Sequence, residues 1–333
     1  MKYNKIYVLT LYNFSTGGVE LSHQLVDYLR NKGQEAYIVY VKNGESFVDC
    51  PVNKSYLNYN ISVATEIVDD PMNMMVLPEI FFKFGDTYKK IKIGYWWMSV
   101  DNYFNAACLH EKVMFAKGIM NKLSQFVHPS NYKLDVSILK IKKEERRSIH
   151  LYQSHYASYF LHSKGIFNTL SLSDYINTEF ATSNSTEKKD IVLYNPAKGY
   201  KFTKKLIKRM PDIEFVPLKG LTREQLVQRF KEAKIYIDFG NHPGKDRMPR
   251  EAAICMCCII TGKEGSAKFF EDIPISDKYK FDQKKDSISS IEAQIRNVIA
   301  NYNKRISDFS FYRKRILKEK EVFYSEISTV FDL

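Results

Sequence analysis

Strand-like and helix-like segments alternate along this chain, and the alternation runs twice. "KIYVLTL" (Lys5 to Leu11) is rich in β-branched and aromatic residues and reads as a buried strand. "STGG" breaks it. "VELSHQLVDYLRNKG" follows, with Leu21, Leu25 and Leu29 four apart and Val26 beside them, the stripe of a helix packed on a sheet. Lys32 and Gly33 close that helix with a cation and a C′ glycine. "EAYIVYV" (Glu35 to Val41) is the next strand. A strand, helix, strand unit with a glycine pair at its first turn opens a doubly wound α/β domain.

Further strand patterns lie at "NMMVLPE" (Asn73 to Glu79), "KIGYWWMS" (Lys92 to Ser99), "SQFVHPS" (Ser124 to Ser130), "SIHLYQS" (Ser148 to Ser154) and "NTLSLSDYI" (Asn168 to Ile176). "NTEFATSNSTEKKD" (Asn177 to Asp190) is polar, lacks periodicity and reads as a linker. The alternation then restarts with strands "IVLYNP", "IEFVPL", "KIYIDF" and "CIIT". Helix "TREQLVQRFKEA" carries a Thr222 cap, and Pro249 reads as the first residue of helix "PREAAICMC". The expected fold is α/β: two doubly wound Rossmann-like domains facing across a cleft, followed by C-terminal helices. The boundaries are a first domain over 1–176, a linker over 177–190, a second domain over 191–305 and a final helix over 306–333 crossing back to brace the first.

Composition bounds the function. A chain of 333 residues with 44% apolar content builds two ordinary cores. Its net charge of +12 draws nucleic acid, anionic lipid or phosphorylated small molecules. No Lys/Arg run with interleaved aromatics resembles a nucleic-acid module, so that partner is set aside. The N-terminus lacks the cleavage pattern of a signal peptide, and no run of about 18 apolar residues exists to span a membrane. Cys50, Cys108, Cys255, Cys257 and Cys258 form no secreted disulfide framework. The expected location is the cytoplasm, with peripheral contact to anionic lipid at the inner face of the cell membrane. Cys255 and Cys258 have C-x-x-C spacing without a second pair, and read as small thiols on a buried helix face.

Ligands of doubly wound sheets bind beyond the carboxyl ends of the strands, so those loops carry the candidates. Gly17 and Gly18 let a backbone approach a ligand, or simply make a tight turn. Asn195 and Lys198 lie in "NPAKGYK", where a cation beside a helix N-terminus suits a diphosphate. In "NHPGKDRMPREAAICMCCIITGKEGSA", Lys245, Arg247 and Arg250 crowd a helix N-terminus, where cations are electrostatically misplaced. Either Asp246 and Glu251 offset them, or a bound phosphate does. Glu251 is placed to accept from a vicinal diol such as a ribose, and Gly265 with Ser266 offers a phosphate nest.

Together these motifs resemble a GT-B-fold glycosyltransferase of the large "group 1" or family-four type, found in bacterial polysaccharide biosynthesis. The shared features are the Gly17-Gly18-Val19-Glu20 loop, Asn195 through Lys198-Gly199, and "REAAICMCCIITGKEGSA" from Glu251 onward. The likeness covers residues 1 to about 285 and departs in two places. The first acid of the family's pair falls at Pro243, and Asn195-Pro196 replaces a basic residue before Lys198.

The resemblance implies an acceptor-side first domain and a second domain that binds a nucleotide-sugar. Glu251 then holds the donor ribose, Lys198 the leaving diphosphate, and Gly265-Ser266 cradles it. The reaction implied is metal-independent hexosyl transfer without a cofactor, the nucleotide-diphosphate sugar being a co-substrate. The acceptor is a saccharide or lipid-linked saccharide of O-antigen or capsule. No D-x-D motif is present, which agrees with a metal-free reaction. Glu20, Glu79, Asp101, His128 and His155 are candidate bases; Asp101, which follows the aromatic strand end, is the most attractive, and His155 is placed to hydrogen-bond the donor sugar. Trp96, Trp97 and Tyr103 are candidate acceptor-stacking rings, or core. Two alternatives stay open, a nucleotide-sugar epimerase of the same fold and a catalytically degenerate nucleotide-sugar-binding subunit.

Overall fold

The computed structural model describes residues 2–12, 14–42, 45–46, 51–104, 147–177 and 187–333. The strand expected at Ser124 to Ser130, His128, Cys50, Cys108 and most of the linker lie outside them. The chain divides into one unit of Met1–Ser173 with Phe323–Leu333 and a second of Asp174–Val322.

The first unit holds β1 (Ile6–Leu11), β2 (Ala36–Lys42), β3 (Glu45–Ser46), β4 (Met74–Pro78), β5 (Lys92–Trp97), β6 (Ser148–Tyr152) and β7 (Thr169–Ser171). Their order is β3-β2-β1-β4-β5-β6-β7, parallel except for β3. Val8 faces Ile38 on one side and Val76 on the other. β1 and β4 are apolar almost throughout because residues on both faces of these parallel strands are covered. Helix α1 (Gly17–Asn31) buries Leu21, Leu25, Val26 and Leu29, the stripe read from the sequence. Helix α2 (His155–Ser163) is capped by Ser154, which accepts from Ala157 N.

β7 is shorter than the expected strand of Asn168 to Ile176. Beyond Ser171 the chain bonds elsewhere. Leu172 O accepts from Trp96 Nε1 at 2.8 Å, and the Glu326 carboxylate takes Ser171 Oγ, Ser173 N and Ser173 Oγ at 2.5, 2.7 and 2.6 Å.

The second unit holds β8 (Lys189–Tyr194), β9 (Glu214–Pro217), β10 (Ala233–Asp238), β11 (Cys258–Gly262) and β12 (Lys280–Phe281), all parallel, in the order β12-β11-β10-β8-β9. Its helices are α3 (Tyr200–Arg209), α4 (Arg223–Glu232), α5 (Arg247–Ile254), α6 (Ile288–Ala300), α7 (Tyr302–Arg305) and α8 (Ser310–Phe331), the last running on into the first unit's segment. Thr222 and Gln225 make a reciprocal capping box on α4.

Two expectations change. α5 starts at Arg247, with Asp246 as its N-cap, so Pro249 is the third helical residue; a proline fits there because the first-turn N–H groups need no helical acceptor. The cysteines do not share a helix face: Cys255 caps α5, Cys257 lies in the turn and Cys258 opens β11. Cys257 Sγ donates to Phe230 O at 3.1 Å, and burial pushes its thiol up to about 12.

Topology decides which loops meet. In the first unit the winding reverses between β1 and β4, and in the second between β8 and β10. In open α/β sheets ligands bind outside the carboxyl ends of the strands at such reversals.

Candidate functional site

At the second reversal, the loops after β8 and β10 press together. Gly199 has φ +62°, and a Cβ there would lie 2.3 Å from Phe239 O; a Cβ on Gly240 would lie 2.3 Å from Lys198 Cβ. Only glycine permits this approach. It carries Lys198 across the gap, where Nζ donates to Asp246 Oδ2 at 2.7 Å. His242 Nδ1 sits 3.0 Å from the same oxygen, and its Nε2 lies 3.7 Å from Asp238 Oδ1. Asp238 also accepts from Tyr236 OH and Gly240 N, both at 2.9 Å. His242 is fully buried, and its contacts with the two carboxylates are charge contacts, not directed hydrogen bonds. Burial opposes charging of the imidazole, but Asp246 and Asp238 outweigh it and hold its pKa above the ordinary value. Burial likewise opposes ionisation of Asp246, and His242 with Lys198 reverses the outcome.

Donor atoms of Asp238, His242 and Asp246 fall within 4.8 Å of one another, a grouping able to hold a metal ion. Here Lys198 already delivers a positive charge to Asp246.

A second charge cluster corrects two expected donor contacts. Arg250 is buried and donates through both terminal nitrogens to Asp174, at 2.9 and 2.5 Å, and to Glu319 at 2.8 Å. Lys245 Nζ lies 2.9 Å from Glu319 and 3.6 Å from Asp174. Asp174 and Glu319, not a ligand, offset these cations. Burial opposes the ionisation of Asp174, yet Arg250 and Lys245 hold it below the usual carboxylate range.

Glu251 lies beyond the first turn, because α5 starts early, and is only 3% exposed. Its Oε1 accepts from Arg223 Nη1 at 2.9 Å and lies 3.4 Å from Arg247 Nε. The expected open acceptor is thus an interior carboxylate clasped by two arginines. The Gly265-Ser266 nest is filled by the chain itself: Ser266 N donates to His242 O at 2.8 Å, and Ser266 Oγ to Gly244 O at 2.6 Å. Asn195 closes its own turn by accepting from Ala197 N at 3.0 Å. Next to these loops, a cavity of 430 Å³ is lined by the start of α3, Lys205, Glu264, Gln283 and Lys284.

In the first unit, Gly17 and Gly18 open α1 beside β5, a Cβ on Gly18 lying 3.3 Å from Met98 Sδ. Glu79 is buried across the reversal and accepts from Met98 N at 2.9 Å; burial raises its carboxyl to about 7. Asp101 is half-buried, 3.5 Å from Tyr156 OH, and His155 is exposed at the first residue of α2. Glu20 receives Tyr59 OH at 3.4 Å. Trp96, Trp97 and Tyr103 are core residues, a correction to the acceptor-stacking expectation. Each is at most 3% exposed, Trp97 Nε1 donates to His150 Nδ1 at 2.9 Å, and the Trp97 and Tyr103 rings lie 4.9 Å apart. Such rings present no free face to a sugar.

Sequence reasoning missed Asp238, His242, Asp174, Glu319 and Arg223. The first two carried a readable signal, since Asp238 ends a strand and His242 precedes Asp246 by four. The others join from segments far along the chain.

No protein-family model and no curated protein matches this sequence. Solved structures do match. Anabaena Alr3699/HepE in complex with UDP-glucose aligns at 11% identity and TM-score 0.63, covering 98% of this chain and 99% of that one. The fold is that of the GT-B glycosyltransferases. Sucrose-phosphate synthase from Thermosynechococcus elongatus aligns at 10% identity and TM-score 0.64, over 99% and 98% of the two chains. TarM, of S. aureus, aligns at 12% identity and TM-score 0.54, over 80% of this chain. The present chain spans 56% of TarM's length.

Proposed function

We propose that this protein is a hexosyltransferase that moves a sugar from a UDP-class nucleotide-sugar to a saccharide or lipid-linked saccharide acceptor in bacterial surface-polysaccharide synthesis. The observation that carries the reading is the match across both chains, nearly end to end, to HepE, solved with UDP-glucose. Chemistry at the second reversal agrees with it. Departure of a nucleoside diphosphate needs positive charge where the leaving oxygens gather. Lys198 supplies it beside the N-terminus of α3, and Arg247, 27% exposed at the first residue of α5 and paired with Glu251, is a further cation of these loops. These groups suffice for a reaction without a resident metal or cofactor. Gly17 and Gly18 admit the donor closely, and Asp101 or His155 takes the acceptor proton.

Thermal unfolding against UDP, GDP, CDP, CMP and S-adenosylhomocysteine tests this. A ligand at about 100 times its Kd stabilises by roughly 2.7 kcal/mol. The expected result is a shift with UDP that is lost in Lys198→Ala, together with release of UDP from UDP-glucose. No shift with any nucleotide removes the reading.

A second reading concerns where the enzyme works. No helix among the described residues is long and apolar enough to cross a membrane. On α8, however, Phe311, Lys314, Arg315, Lys318 and Val322 are exposed at helical spacing, and Phe311 stacks on exposed Phe270 with ring centroids 6.2 Å apart. Rings flanked by cations suit the surface of an anionic bilayer. Salt-sensitive co-sedimentation with phosphatidylglycerol vesicles is expected, and reduced in Phe270→Ser/Phe311→Ser. Equal binding by the double variant removes the assignment.

A further inference from the structure

We propose that the buried chain Asp238–His242–Asp246 positions Lys198, and that His242 is therefore a positioning residue for glycosyl transfer although it never meets the substrate. The proposal rests on the transferase reading above and names a device that the reading does not contain.

His242 is where three strand-end loops join. Its side chain lies between Asp238 at the end of β10 and Asp246 at the cap of α5. Its backbone oxygen receives Ser266 N from the loop after β11, and a Cβ on Gly265 would lie 2.0 Å from that oxygen. Through Asp246 it reaches Lys198 in the loop after β8. Displacement of His242, backbone and ring together, would therefore reach all three loops.

The charges explain why a histidine suits this place. Two carboxylates face one lysine and one imidazole, with the Tyr236 hydroxyl donating to Asp238 and feeling Asp246 and Glu251 as well. Asp246 Oδ2 meets both His242 Nδ1, at 3.0 Å, and Lys198 Nζ, at 2.7 Å, so the imidazole sets where this carboxylate presents itself to the ammonium. Lys198 is also the member of the chain nearest solvent, its side chain 34% exposed against 16% for Asp246 and none for His242. The same lysine explains why the cluster is better read as a positioning device than as a metal centre: the cation it needs is its own.

Charge on a leaving group develops in the transition state, so misplacing Lys198 lowers kcat more than it changes KM. The test measures UDP binding by calorimetry, and kcat and KM for UDP-glucose turnover, in wild type, Lys198→Ala, His242→Gln and the double variant. His242→Gln is expected to lose about tenfold or more in kcat with KM nearly unchanged, and the double variant to be no slower than Lys198→Ala. Asp246→Asn, which keeps His242, is expected to match His242→Gln and stands in for it if that variant does not fold. A folded His242→Gln with wild-type kcat, or losses that multiply in the double variant, overturns the positioning role. So does Zn2+ binding by wild type that is lost in His242→Gln. A wild type that neither binds UDP nor turns over UDP-glucose overturns the transferase reading itself, a result distinct from an active wild type beside an unaffected variant.

Discussion

The two sheets reverse their winding in the same manner, yet their carboxyl ends are finished in opposite materials. In the first unit the ends of β4 and β5 close with packed rings: Trp97, Tyr103 and Phe82 lie against one another, and the carboxylate of Glu79 is held by backbone N–H groups. In the second unit the ends of β8 and β10 close with ion pairs. Arg250 with Asp174 and Glu319, Glu251 with Arg223 and Arg247, and Lys198 with Asp246 tie down the loops after β8, β9 and β10. Topology settles where loops meet, and side-chain chemistry then decides what the meeting place is for. Packed rings hold their shape without charge matching, and the pH response of the first unit's finish enters through Glu79. A charged finish holds a shape only while its charges are matched, and an arriving phosphate changes that match.

Substitutions at four positions break or sharpen this contrast. The largest effect is expected for Arg250→Ala, which leaves two buried carboxylates to Lys245 and should lower unfolding free energy by about 3–5 kcal/mol in a denaturant titration. Arg250→Lys should restore little, because an ammonium cannot fork across Asp174. A small loss would mean that packing, not charge, finishes the second unit too.

Glu79→Gln comes next. Burial favours the neutral carboxyl, so the folded state gains from protonation below the unfolded value near 4.5, and that gain is gone once pH passes about 7. Across that window the wild type should lose about 3 kcal/mol relative to Glu79→Gln. Parallel stability-pH curves would show the first unit indifferent to this carboxylate. Gly265→Ala forces a Cβ against His242 O at φ +60°, and should cost about 1–3 kcal/mol by thermal melting while disturbing UDP affinity. The smallest effect belongs to Thr222→Ala, about 1 kcal/mol from the lost capping box on α4, with no change in UDP binding. A binding change there would extend the charged site beyond its loops.

Periodicity made the frame legible. The Leu21, Leu25, Leu29 stripe, the capped helices and the restart of alternation after the linker all derive from rules acting within about twenty residues. The loops were legible as loops and as basic, but their partners were not. Lys245 and Arg250 read as donor cations because Asp174 and Glu319, which neutralise them, lie far off along the chain. Trp96 and Trp97 sat at a strand end, where exposure and burial have the same sequence signature until the neighbouring strands are known. Glu251 shifted inward because α5 begins two residues early, a margin within which helix ends are hard to place.

The grip on Arg250 has a topological consequence. Asp174 begins the second unit and Glu319 lies three residues from its last, Val322, yet both hold the same guanidinium. The segment therefore leaves the fold where it came in, like a bead threaded on a loop of string. A piece of protein whose two ends emerge side by side is portable. It can be set into a surface turn of an unrelated host, or have its ends joined and new ones opened elsewhere, without stretching its own frame.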